Sequence, residues 1–320
     1  MIPHRGQARG AAVDRSCQAG AEGNLIPRPG PAAVASFDFA MKITCDSGSA
    51  NYLSLMSSLT AKIQRLGAAV IGWMQNLGKA VIFTATATLM IFTPPFRGRR
   101  IIEHLYFIGV LSILVVSLTA FFTGMVLGLQ GYYTLSKFGS EGLLGSAVAL
   151  SLIRELGPVL AALMVTGRAG SAVAANLGAM RISEQIDALD TMDIHPVKFL
   201  VAPRIAAAVI AVPLLTAIFD IVGIIGGYIS GVVMLGVSPG IYISGMISST
   251  RMNDIVSGLI KPVFFGFVIG AVSCYRGYFC DRLKAGVKGS AGVSLATTSS
   301  VVISSVIILI LDYVLTAFLL

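Results

Sequence analysis

Five apolar stretches, each about 20 residues or longer, fill most of the chain after residue 105, and nothing else in the sequence constrains the fold as strongly. They run over about 105–130, 143–178, 199–235, 253–275 and 297–320. A hydrocarbon layer about 30 Å thick needs roughly 20 apolar residues in helical form, because only a helix or a closed barrel satisfies its backbone groups without water. The expectation is an all-α integral membrane protein with five spans. Composition agrees, since 55% of the 320 residues are hydrophobic, 12% are charged, and mean hydropathy is +0.84. Average soluble chains carry roughly 25% charged residues, which argues against a soluble enzyme, and 35 glycines without a fixed period together with clustered polar residues exclude a disordered chain, a collagen and a coiled coil.

Ahead of the spans the sequence changes character twice. Residues 1–50 are rich in Gly, Pro, Ala and scattered Arg with no helical or strand period, which predicts a disordered extension. Asp14, Glu22 and Asp38, with no apolar run among them, argue against a signal or transit peptide, and Met41 is an alternative start. Residues 54–96 are moderately apolar but interrupted by Lys62, Arg65 and Lys79, with Trp73 near the middle. That pattern predicts an amphipathic helix lying in the membrane interface, ended by Pro94 and Pro95.

The connections decide orientation. Arg97, Arg99 and Arg100 precede the first span, Arg181, Lys198 and Arg204 fall around the second connection, and Arg276, Arg282, Lys284 and Lys288 around the fourth. The opposite side holds only Lys137 and Arg251. Cationic loops stay in the cytoplasm, so the expected arrangement puts the N-terminus in the cytoplasm and the C-terminus outside. An odd number of spans disfavours a complete inverted repeat within one chain, and a two-fold homodimer is the simpler way to line a pathway. The net charge of +8 fits this bias. No basic stripe interleaved with aromatics points to nucleic acid.

Several short patterns bear on chemistry. Gly124 with Gly128, Gly223 with Gly227, Gly227 with Gly231, and Gly266 with Gly270 are four residues apart inside apolar segments, so each pair shares a helix face and lets two backbones approach. Gly78-Lys79-Ala80 is no phosphate loop, because Trp73 and Ala80 stand where that motif needs glycine and a hydroxyl. The chain does not bind ATP in that manner, and ATP-driven work would fall to a partner. Cys17, Cys45, Cys274 and Cys280 form no C-x-x-C pair, and His4, His104 and His195 are scattered. No metal site, disulfide framework or catalytic constellation is legible.

Ionisable residues within spans cost about 2.5–3.5 kcal/mol each on insertion scales, so each asks for a reason. Arg154 and Glu155 lie in the second span, Asp220 in the third, Lys261 in the fourth and Asp312 in the fifth. Neighbours on a helix point about 100° apart, so Arg154 and Glu155 are not expected to face one groove together, and one should seek a partner on another helix. The second span also holds Pro158 and Arg168, which predicts a tilt, kink or break. In the connection that follows, RISEQIDALDTMDIHP over 181–196, Ser183 is placed to cap a short helix. Glu184, Asp187 and Asp190 make one face acidic, while Ile182, Ile186 and Leu189 line another. Acidic residues on the basic side point to a partner protein.

Four runs taken in order, GMVLGLQG over 124–131, LIRELGPV over 152–159, GRAGS over 167–171 and EQIDAL over 184–189, resemble the MlaE-type permeases of ABC phospholipid transporters, across about residues 60–320. The resemblance implies a homodimeric permease in the bacterial inner membrane, each subunit giving an interfacial elbow helix and five spans. It implies two cytoplasmic ATPase subunits that carry ATP and Mg²⁺, a periplasmic ring of MCE-domain subunits, and phospholipid moved between inner and outer membranes to maintain outer-membrane lipid asymmetry. The 181–193 segment, through Glu184, Asp187, Leu189 and Asp190, would be the coupling helix. Arg154 and Glu155 would lie near the lipid, with Arg154 on the phosphate and Leu156, Leu160 and Val126 on acyl chains. Two other readings stand beside it: a proton-coupled transporter using Glu155, Asp220 and Asp312, and a membrane scaffold without transport.

Overall fold

The computed structural model describes residues 67, 71–72, 74–91, 93, 98–282 and 289–319. The expectations for residues 1–50, for Lys62, Arg65 and Trp73, for Pro94, Pro95 and Arg97, and for Lys284 and Lys288 lie outside these. The chain divides into two compact units, Met1–Trp73 and Met74–Leu320, and the helical bundle is the second.

Among the described residues the chain is helical and contains no strand. Helix α1 covers 74–91. The first span, Gly98–Ser136, joins α2 (Gly98–Ile108) through a single tight turn to α3 (Ile113–Ser136). The second, Glu141–Ile182, strings together α4 (Leu144–Ser151), α5 (Gly157–Val165) and α6 (Ser171–Ile182). A seven-residue helix, α7 (Gln185–Thr191), fills the next connection, and α8 (Ala202–Tyr228) forms most of the third span, Val197–Met234. After α9 (Pro239–Ser249) come the fourth and fifth spans, α10 (Met252–Tyr278) and α11 (Ser290–Leu319). The five long apolar helices fall where the sequence puts the five spans, and the all-α membrane fold follows from their length and composition.

Close backbone approach explains how the spans pack. A Cβ on Gly124 would collide with the Gly223 carbonyl, one on Gly128 would come within 3.0 Å of the Gly227 carbonyl, and one on Gly226 would collide with the Phe121 carbonyl. The glycine pairs of α3 and α8 therefore meet each other inside one chain. Gly266 and Gly270 of α10 seat on the same α8 at Ala208 and Ile205, which makes α8 the central helix. Without a hydrophobic drive between helices in lipid, this close dispersion contact holds the bundle. Helix α1 is pinned at the far end of α10: Phe83 is buried against Tyr275, Tyr278 and Phe279 at ring separations of 5.3–5.8 Å, and Tyr275 donates to the Asn76 carbonyl.

The second span does not break. It absorbs two π turns, Leu152–Leu156 and Thr166–Gly170, wider turns typical of functional segments. Arg168, in the second, donates to the Phe107 carbonyl and to Ser112 Oγ, which ties that turn to the junction of α2 and α3.

Two local expectations are corrected. Ser183 does not cap α7; its hydroxyl bonds back to the Ala179 carbonyl at the end of α6, and Glu184 precedes α7 in the left-handed region, φ 58°. The reversal between α6 and α7 is so tight that α6 keeps the serine. Arg204 is not a water-facing loop cation either. It lies in the first turns of α8, only 5% exposed, with Val173 and Ser273 around it.

Candidate functional site: a charged junction of three spans

The first π turn places the two adjacent ionisable residues of the second span, and both reach the same neighbour. Arg154 pairs with Asp254, Nη2 to Oδ1 at 2.7 Å and Nε to Oδ1 at 2.9 Å. Glu155 pairs with Lys261, Oε1 to Nζ at 3.0 Å. Asp254 and Lys261 stand seven residues apart on α10, about two turns, so one face of α10 answers both. The expectation that one of them would seek a partner on another helix holds for both, and the expectation that they would not face one groove together is corrected, since both partners lie on α10. The two side chains leave their own helix in different directions and still reach one neighbour, because their partners stand about two turns apart along α10.

Lys261 is the hub. It is 2% exposed, and its three ammonium protons go to Glu155 Oε1 at 3.0 Å, to Thr316 Oγ1 at 2.8 Å and to the Arg154 carbonyl at 2.8 Å. Asp312 Oδ1 lies 3.5 Å away. The carbonyl contact has a covalent cause. Residue 158 is proline, which has no N–H to return to the carbonyl four residues earlier, and the lysine of α10 supplies a donor. Thr316 sits one turn beyond Asp312 on α11, with its hydroxyl 2.8 Å from the Asp312 carbonyl and 3.2 Å from Glu155 Oε2. A buried ammonium is tolerated only when paired and fully hydrogen-bonded, and this one is both.

Helix α10 sets up the other pair. Asp254 occupies its first turn, where the helix dipole favours a carboxylate, and its Oδ2 accepts from the Arg251 backbone N–H at 3.0 Å. The second and fourth spans approach closely beside it, since a Cβ on Gly258 would sit 2.5 Å from the Ile153 carbonyl.

The junction is closed at the back and open at the front. Lys261 is sealed, whereas the side chains of Arg154 and Glu155 are 43% and 41% exposed. One face of the second span thus presents a cation and an anion side by side, each already held by an opposite charge. Leu156 and Leu160 are half-buried on the same span. Val126 lies on α3 and is largely exposed. Asp220 stands apart from the lysine junction; its Oδ1 rests against Gly157 with no hydrogen-bond partner.

Sequence reasoning picks out Arg154, Glu155, Lys261 and Asp312 as costly charges but misses Asp254 and Thr316. Signals for both exist: Asp254 is seven residues before Lys261, and Thr316 is four after Asp312, so each shares a helix face with a charge already singled out.

At the opposite end of the bundle Glu184 is exposed just ahead of α7, which itself exposes Asp187 and Asp190, keeps Leu189 half-buried and buries Ile186. Arg181 holds it, with Nη1 2.7 Å from Asp187 and Nη2 3.5 Å from Asp281 beyond α10. Among the described residues no cluster of His, Cys, Asp and Glu is arranged to hold a metal.

Five long apolar helices, with a charged junction between three of them and an acidic helix in one connection, make this a polytopic membrane protein. The family model described as Permease MlaE matches residues 101–318, and the chain belongs to that family. A probable ABC transporter permease protein of Rickettsia bellii is 44% identical over 251 residues, covering 78% of this chain and 95% of the relative. The intermembrane phospholipid transport system permease protein MlaE of Haemophilus influenzae is 41% identical over 258 residues, 80% of this chain and 96% of the relative. The chloroplastic protein trigalactosyldiacylglycerol 1 of Arabidopsis thaliana is 35% identical over 237 residues, 74% and 66% respectively.

Proposed function

We propose that this chain is the membrane permease subunit of an ABC transporter that moves phospholipid between the inner and outer membranes. The single observation that carries the reading is the Haemophilus relative, a phospholipid transport permease by name and matched along almost its whole length. The open front of the charged junction supports it. Arg154 is bound to Asp254 by two nitrogens and is still half-exposed, so a phosphate reaching that face exchanges one anion for another instead of binding a naked cation. Charge-assisted hydrogen bonds of this kind are the strong ones. Leu156 and Leu160 would then meet the acyl chains.

In this reading the working unit is a homodimer in the bacterial inner membrane, with its N-terminus cytoplasmic and C-terminus periplasmic. ATP and Mg²⁺ bind to a cytoplasmic ATPase partner, an MCE-domain protein receives or delivers lipid on the periplasmic side, and transport serves outer-membrane lipid asymmetry. Helix α7 is the coupling element: the exposed Glu184, Asp187 and Asp190 seat on the ATPase, while Ile186 and the Arg181 bridge anchor it to the bundle.

The test is affinity capture of the detergent-solubilised chain, with and without Lys at positions 184, 187 and 190. An ATPase recovered with the native chain and lost on charge reversal, together with co-purified phospholipid, is the expected result. A dimer that never recovers an ATPase would overturn the reading and bring forward proton coupling through Glu155.

A further inference from the structure

A cavity of about 310 Å³ opens at the basic end of the bundle, and none of the charged junction's residues line it. Its walls come from four places: Ile91 at the end of α1, Ile101 at the start of α2, the 193–195 linker that leaves α7, and Phe199, Ala202 and Ala206 entering the third span. The lining is graded. Its apolar members are buried or half-buried, whereas Asp193 and His195 are exposed, so polar groups mark the mouth and apolar ones the floor. Lys198 also lines it, and Arg100 stacks on the Phe199 ring at 3.6 Å. Among the described residues, Asp193 is the carboxylate and Lys198 the cation of the lining, and Arg100 lies beside it on the Phe199 ring.

The flanks identify the solvent this mouth meets. Met74, Leu77, Val81 and Leu89 are exposed along α1, and Ile102 and Tyr106 along α2. In a membrane protein exposed apolar faces of this extent meet lipid. From Lys198 to Ala206 the wall climbs about 12 Å along the helix, from the interface into the hydrocarbon. The volume is at the lower end of small-molecule sites, about 300–1,000 Å³, and suits one hydrocarbon chain rather than a whole lipid.

We propose that this cavity holds one acyl chain of an anionic phospholipid, with its head group over Lys198 and Arg100. This is a resident lipid separate from any cargo, and the inference needs only that the bundle lies in a bilayer. Occupancy fills the space between α1, α8 and the linker leaving α7, and so braces α7 from behind.

The experiment uses the full chain in phosphatidylcholine vesicles doped with phosphatidylglycerol or phosphatidylcholine bearing a diazirine near the acyl terminus, with adducts mapped by peptide mass spectrometry. Adducts on the peptides holding Ile91, Ile101 and Ala206 are expected, about fivefold stronger with the anionic probe, as one cation near a head group provides. Ala206→Trp fills the floor and should abolish them while leaving adducts at exposed Leu118 and Val306 unchanged, which also reports correct insertion. Lys198→Glu keeps the floor and should erase the preference for phosphatidylglycerol. Cavity adducts that persist in Ala206→Trp, or equal labelling by the two probes in the native chain, would overturn the proposal. If Ala206→Trp does not insert, Lys198→Glu decides.

Discussion

At the residue scale the most consequential side chain is Lys261, because Glu155, Asp312 and the Arg154 carbonyl all depend on one ammonium group. Lys261→Met keeps most of the volume and removes the charge, leaving the Glu155 and Asp312 carboxylates of two different spans beside each other with no cation between them. Breaking a buried pair by removing one partner costs about 3–5 kcal/mol, and the half-exposed Glu155 places this case at the lower end. Adding Glu155→Gln removes one stranded charge, so the double variant should recover part of the loss in a thermal-melting cycle. Purely additive losses would mean the pair is not coupled. Tyr242 gives the opposite case. It is buried against Tyr228, its hydroxyl has no partner, and burial pushes its pKa up to about 12. An unfolded tyrosine ionises near 10 while this one stays neutral, so its contribution is complete below pH 10 and lost as pH rises from about 10 to about 12. Tyr242→Phe removes an unsatisfied group, and should leave melting unchanged or raise stability by up to about 1 kcal/mol while flattening that alkaline decline. The sequence shows these residues unequally. A charge in an apolar run announces itself, but its partner about a hundred positions away does not, since pairing depends on which helix faces which. Thr316 and Tyr242 look ordinary until the fold surrounds them.

At the element scale the glycine spacing is readable in advance, and the structure adds which helix each pair meets. The same four-residue interval serves two helices of one chain or two chains of a dimer equally well, so spacing alone does not choose between them. Here α3 and α8 meet through Gly124 and Gly223. Gly124→Ala drives a methyl into the opposing carbonyl and must part the helices, for about 1–3 kcal/mol. Gly240 near the start of α9 has open space around it, so Gly240→Ala should be neutral or stabilising by up to about 1 kcal/mol, as alanine is the better helix former. Melting of the two variants side by side separates close packing from helix propensity; equal losses would remove the packing argument. The second span shows where pattern reading stops. Proline and charge announce a disturbance there, but periodicity does not distinguish a kink from a π turn, because the outcome depends on what takes over the released carbonyl. Lys261 takes it, and the helix continues.

For the whole molecule, two cross-ties sort the connections into two ends. Arg181 beside α7 bridges to Asp281 beyond α10, so the second and fourth connections share an end. Tyr242 of α9 packs on Gly145 at the start of α4, whose missing Cβ would strike the Tyr242 carbonyl, so the first and third connections share the other. This alternation is what five spans in succession require, and the cationic residues Arg99, Arg100, Arg181 and Lys198 all fall at the first end. The proposed orientation, with that end in the cytoplasm, rests on this charge bias, towards which the buried Arg204 does not count. Thiol labelling checks the assignment. Cys274 and Cys280 are buried, and desolvation holds the Cys280 thiol above its ordinary range, so neither should compete once Cys17 and Cys45 are replaced by serine. In that background Ser244→Cys, on the exposed side of α9, should react with an impermeant maleimide in cells whose outer membrane alone is permeabilised. Ser290→Cys, exposed at the start of α11, should react only after the inner membrane is opened. The reverse pattern would turn the molecule over, put α7 out of reach of any cytoplasmic ATPase, and leave the buried junction of Lys261 without an ATP-driven partner to move it.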